Sequence, residues 1–571
     1  MRISIHSTGV VLAAAALAAS AAVGRAEDKR VELTAPGANP KVVGATAPSV
    51  LIHGLGQTIV AQGNMPIENG TAEIPFYGYY GDGPLIPAPG DVQSASHKVE
   101  ASKSEPDKNT YLVMPGLSGP TANYDYGTHF LFQGHELAGP TATAGTSSSY
   151  ITRVNLDADG AHRVTLMATT DTSGKPLQGI DGSTWDPWAG KLLFTVENGI
   201  NGTVYQMGPD YPTFVEDLAG LLGRAGYEGI QNDSDGNIWI VEDSGGGTGK
   251  TNSHAKQPNS FLYRFVPKDR TNLLLGGKLQ ALQVTSLANA GQPIAFHSGQ
   301  ADQDILSQDV KDLHSYGKKF STKWITIHDT DIDGTNSFDA NGLAKSKNCT
   351  PFKRPENGQF RPGSGFTQFF FDETGDTNAS TEAGAAYGGL GSILKLSQAN
   401  PSADNGFLTL FFLCDVAHSG LDNVGFWDAD HVVFVEDAGD GLHTQRNALD
   451  SAYLFDVTED YSSPQAFPPI RLLAEGRDPS ATIDSALSGQ PGFQNEGDNE
   501  ITGFHVSDGD PTTGGILGAK VPTPFQSGWR VFYTQQHGDN MTWEIVSTDP
   551  DTCSGARQIP IVLVQRARVT H

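Results

Sequence analysis

One hydrophobic pattern recurs six times along the chain, and each copy predicts a β-strand that follows a tight turn. A turn rich in Gly and Asp leads into a short run of apolar, β-branched and aromatic residues, which ends on a residue that can bind a metal. The copies are residues 124–136, 186–198, 233–243, 364–373, 427–437 and 528–537. Their spacing is irregular, so we expect long insertions between the strands.

Repeats of this length predict an all-β fold, a β-propeller, in which four-stranded blades surround a central channel. Six copies indicate six blades, with long loops and short helical insertions. The same strand end of each blade should face the channel, so we expect the acids that end four of the copies to meet there. These acids are Glu197, Glu242, Glu373 and Glu436. Converging carboxylates repel one another unless cations neutralise them, so the pattern predicts a metal site.

The chain of 571 residues begins with a predicted export signal. Met1 and Arg2 precede an apolar segment, residues 10–23, which ends in small residues and is too short to span a membrane. We therefore predict a signal peptide over residues 1–26 and a single propeller domain with inserted loops over residues 27–571. No twin arginine precedes the apolar segment, which favours the general secretory route and a periplasmic or extracellular protein.

The composition bears on partners and on cations. With 64 acidic and 37 basic residues the formal charge is −27, which argues against nucleic acid or an anionic membrane as a partner. The same acidity would keep an exported protein soluble, so charge alone does not identify a metal site. Three cysteines, Cys349, Cys414 and Cys553, allow at most one disulfide. Calcium prefers carboxylate oxygens, and it is the cation that we expect.

Two motifs begin like known binding loops without completing them. Residues 244–251 nearly spell a phosphate-binding P-loop, but Ser244 stands at the first Gly position and no apolar helical pattern follows. Residues 329–334 begin like a calcium-binding EF-hand loop, but its twelfth position is Ala340 where a bidentate Glu belongs. We expect a plain Gly-rich loop at the first motif. At the second we favour an Asp-rich turn over a weak calcium site.

Further acidic motifs lie between the repeats. Glu228 lies between glycines and apolar residues, where a charge without a partner is costly. Arg354 and Glu356 flank a proline, and because residues i and i+2 at a strand end share a face, both side chains can reach one cavity. Residues 420–424 and 495–503 supply more carboxylates. Each motif alone is compatible with a surface turn, whereas together they favour metal binding.

In this order along the chain, the motifs resemble the PhoX-type bacterial alkaline phosphatases and their uncharacterised relatives. The resemblance rests on residues 134–137, 188–198, 227–229, 354–356, 422–423, 500–503 and 536–537. It implies a secreted, monomeric, six-bladed propeller whose central calcium and iron cluster hydrolyses small phosphate monoesters. By position, Arg354 would be the catalytic residue that grips the substrate phosphate. The metal ligands would be Glu197, Glu228, Glu356, Asp422 and Glu500.

The chain departs from the family at one ligand. The family's phosphatases have an iron-ligating cysteine shortly before a Pro-Trp-Gly motif, whereas residues 178–188 contain none, and Asp181 is the nearest possible ligand. A carboxylate in place of a thiolate shifts the metal preference from iron toward hard cations. A calcium-only cluster, iron in a poorer site, or loss of phosphatase activity would each fit this departure.

Two other functions stay open at this point. One is a secreted, calcium-stabilised binding propeller without turnover, and the other is a propeller lactonase or related hydrolase that uses one calcium ion and a carboxylate base. Arg354 beside Glu356 favours a phosphate substrate over both, because a buried Arg has no evident use beside a lone structural calcium.

Overall fold

The structure, a computed structural model, describes residues 49–85, 101–137, 149–437, 450–475, 500–536 and 540–548. The predicted signal peptide, His537 and Cys553 lie outside the described residues. The described residues form 26 strands and five short α-helices, so the predicted all-β class is confirmed. Cys349 and Cys414 are buried free thiols. None of the helices in the described ranges is long and apolar enough to cross a membrane.

Two strands begin the described chain, and two four-stranded antiparallel sheets follow. The first two strands are β1 (Ser49–Leu51) and β2 (Leu55–Ala61). The first sheet contains β3 (Pro106–Val113), β4 (His129–His135), β5 (Tyr150–Asn155) and β6 (Val164–Ala168). The second contains β7 (Ile180–Asp186), β8 (Lys191–Val196), β9 (Val204–Met207) and β10 (Glu216–Asp217).

A nine-stranded sheet forms the middle of the chain. Its first half is β11 (Tyr227–Asn232), β12 (Ile238–Glu242), β13 (Leu262–Pro267) and β14 (Gly277–Val284). Its second half is β16 (Gly358–Phe360), β17 (Gln368–Glu373), β18 (Ser392–Gln398) and β19 (Asn405–Leu413). Strand β15 (Phe320–Asp329) pairs with both β14 and β19 and joins the two halves.

The last two sheets combine both ends of the chain. One contains β20 (Leu421–Phe426), β21 (His431–Glu436), β22 (Ser451–Asp456) and β23 (Ile470–Glu475), with β1 added beside β23. The other contains β24 (Glu500–Ser507), β25 (Arg530–Gln536) and β26 (Met541–Ser547), with β2 as its fourth strand. The N-terminal strands therefore complete the C-terminal sheets.

Each copy of the recurrent pattern forms the second strand of a series. These second strands are β4, β8, β12, β17, β21 and β25. The strands that precede them, β3, β7, β11, β16, β20 and β24, contact one another in that order, and β24 contacts β3. The first strands thus form a closed ring, and the arrangement is propeller-like, with four small sheets and one nine-stranded sheet.

The core lies between neighbouring sheets. Phe130 and Ile151 of the first sheet pack in one cluster with Phe194 and Met207 of the second. The second strand β12 is buried at every position, because Ile238 and Ile240 pack in one cluster and Trp239 and Val241 in another. This burial on both faces explains why the second strands read as nearly continuous apolar runs instead of alternating patterns.

The helices are short insertions in the loops. They are α1 (Ala219–Leu222), α2 (Ala301–Ile305), α3 (Gln308–Leu313), α4 (Thr330–Asp333) and α5 (Ala340–Ser346). Three 3-10 turns lie at Gly199–Asn201, Leu273–Leu275 and Ala385–Tyr387. Ser307 caps the start of helix α3, and its hydroxyl accepts the N–H of Val310.

Candidate metal centre

A β-bulge recurs at the same point of four first strands. In β3 the register passes from Pro106 opposite His135 to Asn109 opposite Gln133, so β3 holds one residue more than its partner. The same shift follows Ile180 in β7, Tyr227 in β11 and Leu421 in β20. The first residue of each bulge is acidic: Asp107, Asp181, Glu228 and Asp422. A bulge bends the strand and redirects its side chains, and here it directs carboxylates to the channel.

A second set of acids lies where the second strands leave these four sheets. Each follows directly after the residue that pairs with the start of the bulge. The acids are Glu136, Glu197, Asp243 and Asp437. The repeated register therefore gives each of the four sheets two carboxylates at the same end.

Three groups of these carboxylates come within metal-binding distance, with oxygens that lie within 4.8 Å of one another. The groups are Asp107, Glu136 and Asp181; Asp181, Glu197 and Glu228; and Glu228, Asp243 and Glu356. The first two groups combine both acids of one sheet with the bulge acid of the next sheet, and the third combines Glu228 and Asp243 with Glu356, which lies before β16. Potential metal sites therefore follow one another around the channel.

Asp422 and Glu500, from the last two sheets, lie at the same cavity. Burial raises the pKa of Glu500 well above its ordinary value, and the charges of Asp437 and Asp422 raise it further. Burial and the charge of Asp107 likewise raise the pKa of Asp422. All five predicted ligands thus surround one cavity: Glu197, Glu228, Glu356, Asp422 and Glu500. That they bind metal stays a prediction.

Our expectation for three strand-end acids, Glu242, Glu373 and Glu436, is wrong, because each is directed into its own sheet. Glu242 accepts the N–H of Phe261, Glu373 that of Lys353 and Glu436 that of Ser419, at 3.0, 2.8 and 3.0 Å. Side chains alternate along a strand, so an acid that ends the strand and the residue after it point in opposite directions. The next residue, Asp243 or Asp437, is the one at the channel.

The sequence assigned no ligand role to four acids that the structure brings to the cavity, Asp107, Glu136, Asp243 and Asp437, and it indicated Asp181 only as the possible ligand nearest to the family's cysteine position. One usable signal was the acid followed by glycine in Asp181-Gly182 and Glu228-Gly229. A Cβ on Gly182 would lie 2.3 Å from the carbonyl oxygen of Glu228, so only glycine lets the neighbouring first strand approach this closely.

Arg354 lies beside the third carboxylate group. Its Nε and Nη2 donate to Asp243, with Nη2 2.7 Å from Oδ2, and Nη2 lies 3.6 Å from Glu356 Oε1. Burial lowers the pKa of Arg354, but the charges of Asp243 and Glu356 outweigh burial and raise it. The backbone φ of Arg354 is 54°, in the left-handed region that a non-glycine residue rarely adopts. Such strain often occurs at functional sites.

The two incomplete motifs hold internal partners. The N–H groups of Lys250, Thr251 and Asn252 donate to the carboxylate of Asp302 at 2.9, 3.0 and 3.0 Å, where a P-loop would hold phosphate. In the Asp-rich turn, lysine ammonium groups lie 2.5 Å from Asp331 and 3.4 Å from Asp329. Both findings agree with the expectation of a plain loop and a turn.

The cavity fits a hard cation. Burial, with the charge of Asp243, raises the pKa of Glu197 to about 8. Asp181 Oδ1 and Asp422 Oδ2 are buried and accept no hydrogen bond from the described residues. Buried carboxylate oxygens in this state are costly unless a cation binds them. The three groups offer only oxygen ligands, which suits calcium.

Comparison with known families identifies part of the chain. The sequence profile of the family alkaline phosphatase PhoX matches residues 253–460. The match supports a PhoX-type family for this segment. The PhoX segment includes Arg354, Glu356 and Asp422, whereas Glu197 and Glu228 precede it. The resemblance drawn from the motifs is thereby confirmed.

Solved structures add only distant likenesses. The chain is similar to the COPII outer coat vertex on membranes (9% identity, 78% of this chain, 84% of that chain, TM-score 0.31). It is also similar to a catalytically inactive virginiamycin B lyase from Staphylococcus aureus with quinupristin (12% identity, 77% of this chain, 99% of that chain, TM-score 0.30). A third similar structure is TolB from Acinetobacter baumannii (9% identity, 77% of this chain, 80% of that chain, TM-score 0.27). TM-scores this low support no argument. A search of curated proteins finds no match.

Proposed function

We propose that the chain is a metal-dependent phosphatase of the PhoX type, which hydrolyses phosphate monoesters at the carboxylate cavity. The supporting observation is the ion pair of Arg354 with Asp243 beside the group Glu228, Asp243 and Glu356. It places a guanidinium, whose planar fork matches two phosphoryl oxygens, next to a potential metal site. Arg354 and Glu356 both lie in the PhoX segment.

We further propose that the fold is a six-bladed propeller. The closed ring of six first strands supports this count. The nine-stranded sheet would contain two blades, β11 to β14 and β16 to β19, which β15 joins into one continuous sheet.

In this proposal the bound cation is calcium. Its ligands would be Glu197, Glu228, Glu356, Asp422 and Glu500. Asp107, Glu136, Asp181 and Asp243 would complete the groups that these acids form. Asp181, the nearest ligand to the family's cysteine position, belongs to two groups, so the cavity favours hard cations over iron. Bound cations would supply positive charge and polarise the phosphoryl group.

The chain's own residues bind and orient the substrate. Asp243 occupies the Nε and Nη2 edge of Arg354, which leaves the edge formed by Nη1 and Nη2 for two phosphoryl oxygens. Held by Asp243 and by its fixed backbone, the guanidinium can orient the phosphorus for in-line attack with little loss of side-chain entropy. A phosphate dianion enters a carboxylate-lined cavity only if cations outweigh the repulsion, so Arg354 and the metals act together.

The cellular setting completes the proposal. We infer an exported protein, periplasmic or extracellular, that acts as a monomer on small phosphorylated substrates. The apolar segment at residues 10–23 supports export, and the net charge of −27 argues against nucleic acid and anionic membranes as partners.

Phosphate release after metal loading tests the function. The purified chain is stripped with chelator, reloaded with calcium, with iron or with both, and assayed on p-nitrophenyl phosphate, on a diester and on phytate, with metal content measured in parallel. We expect release that depends on calcium. A chain that binds calcium but releases no phosphate under any loading would support the binding propeller, and turnover of a lactone instead would support the lactonase.

A further inference from the structure

One lysine, Lys256, lies close enough to Arg354 to feel its charge, and it is not among the predicted ligands. Lys256 is half-buried in the loop between β12 and β13, which begins at Asp243, the partner of Arg354. A Cβ on Gly245 would lie 3.9 Å from both Cδ and Nζ of Lys256. The Lys256 ammonium therefore lies against the backbone two residues after Asp243.

The Lys256 ammonium forms no ion pair with an acid of the described residues. Among the described residues, no carboxylate lies within salt-bridge distance of its Nζ, whereas Arg354 pairs with Asp243 and Lys353 pairs with Asp376 at 2.8 Å. Burial and the positive charge of Arg354 lower the pKa of Lys256, whereas the charges of Asp243, Asp376 and Glu356 act against that shift and show that these acids are near. Because Asp243 pairs with Arg354 and no acid of the described residues pairs with the Lys256 ammonium, Lys256 has a positive charge at this edge of the cavity that is not held in an ion pair.

Carboxylates from the inserted segments fix the loop that presents Lys256. Asp376 accepts the N–H of Lys256 at 2.9 Å and also binds the Nζ of Lys353, the residue before Arg354. Asp302 and Glu382 accept N–H groups from the loop residues that precede Lys256. One acid, Asp376, therefore ties Lys256 to the segment that contains Arg354, which positions the two cations relative to each other.

We propose that Lys256 is a second cationic contact for the substrate phosphate, beside Arg354, and that it makes the site favour dianionic monoesters over monoanionic diesters. This inference rests on the proposed function and specifies its substrate class. A dianion gains more than a monoanion from an added positive charge, because Coulomb attraction scales with the product of the charges. Lys256 has enough reach and freedom to act as a point charge, while Arg354 fixes geometry.

The test compares Lys256→Met with Lys250→Met, a change at an exposed lysine of the same loop. Each calcium-loaded protein is assayed on p-nitrophenyl phosphate and bis(p-nitrophenyl) phosphate, and the affinity for inorganic phosphate is measured by calorimetry. For Lys256→Met we expect kcat/KM on the monoester to fall about ten- to hundredfold, mainly through KM. We expect a smaller fall on the diester, weaker phosphate binding and unchanged calcium content. Lys250→Met should match the wild type.

Each outcome separates this inference from the proposed function. Equal phosphate affinity and kinetics in Lys256→Met and Lys250→Met would overturn the role of Lys256, while wild-type turnover would keep the phosphatase. A wild type that releases no phosphate, but whose phosphate binding needs Lys256, would overturn the phosphatase and keep the anion contact. If Lys256→Met does not fold, Lys256→Arg keeps the charge: retained phosphate affinity supports the proposal, and lost affinity in a folded, calcium-loaded protein overturns it.

Discussion

Lys108 Nζ donates to Asn357 Oδ1 at 2.7 Å and so joins the bulge of β3 to the segment before β16. These strands are the first and fourth members of the ring, so the contact crosses the central channel. Burial lowers the pKa of Lys108, while the charges of Asp422, Asp181 and Asp107 act against that shift. The protein therefore places a cation of its own among the carboxylates, apart from any metal.

Replacing Lys108 by Met should destabilise the fold. The change keeps the bulk of the side chain but leaves the buried acids without their internal cation and Asn357 Oδ1 without its donor, and an unsatisfied buried acceptor alone costs about 1–3 kcal/mol. Calcium should offset part of this loss, so the variant should gain more stability from calcium than the wild type does. Denaturant unfolding with calcium and with chelator measures both effects, and Lys175→Met, at an exposed lysine, is the control. A variant as stable as the wild type in chelator would contradict this role.

The raised pKa values predict the sign of a pH effect in the absence of cations. Glu197 has a folded-state pKa of about 8 against an ordinary value of 4.5, so between these values the folded chain binds more protons than the unfolded chain. Stability should therefore fall as pH rises through this window, by up to about 1.4 kcal/mol per pH unit for such a group. The contribution of Glu197 to stability should be fully present below the pKa that Glu197 has in the unfolded chain.

Calcium should remove this loss, because it binds the deprotonated carboxylates, and it should add about 2.7 kcal/mol at a hundredfold excess over its Kd. Calorimetric melting between about pH 5 and pH 8, in chelator and in calcium, checks the prediction. Glu197→Gln should flatten the profile in chelator. A chelated protein that melts higher at the alkaline end would show that the sign is wrong.

The all-β class and the second strands were predictable because the turn and apolar run of each copy are adjacent in sequence. The sequence did not predict whether each acidic side chain points to the channel or into its own sheet. Glu197 and Glu242 occupy the same place in the pattern, yet β8 pairs only as far as Val196, whereas β12 pairs through Glu242 itself. That one-residue difference in where pairing ends moves Glu197 to the channel and Glu242 into its sheet.

Local sequence patterns did not predict the bulges or the role of Lys108 for a similar reason. The extra residue that redirects Asp181 exists only relative to the partner strand, so its own strand does not reveal it. The contact of Lys108 with Asn357 joins residues 249 positions apart, and it depends on closure of the whole ring. The motif of Arg354 and Glu356 was legible because both side chains lie on one short segment.

Substitutions of Arg354 and Glu356 should have different effects on calcium content and turnover. Arg354→Ala removes a phosphate contact and leaves the carboxylates in place, so calcium content should persist while turnover falls by about two or more powers of ten. Glu356→Gln keeps the shape but withdraws a charged ligand, so calcium content and activity should fall together. Metal analysis beside kinetics separates the two. Loss of metal in Arg354→Ala, with metal and activity intact in Glu356→Gln, would reverse the assigned roles.

The carboxylate of Asp181 should determine whether the cavity prefers calcium or iron. Its Oδ1 is buried without a hydrogen bond from the described residues, and its carboxylate belongs to two ligand groups, so a change here alters the donor set of both. Asp181→Cys places a soft thiolate among oxygen ligands, which should raise the affinity for iron relative to calcium. Competition binding followed by metal analysis measures the ratio, and Asp181→Asn controls for loss of the charge alone. The same iron-to-calcium ratio in Asp181→Cys and Asp181→Asn would show that Asp181 is not a ligand.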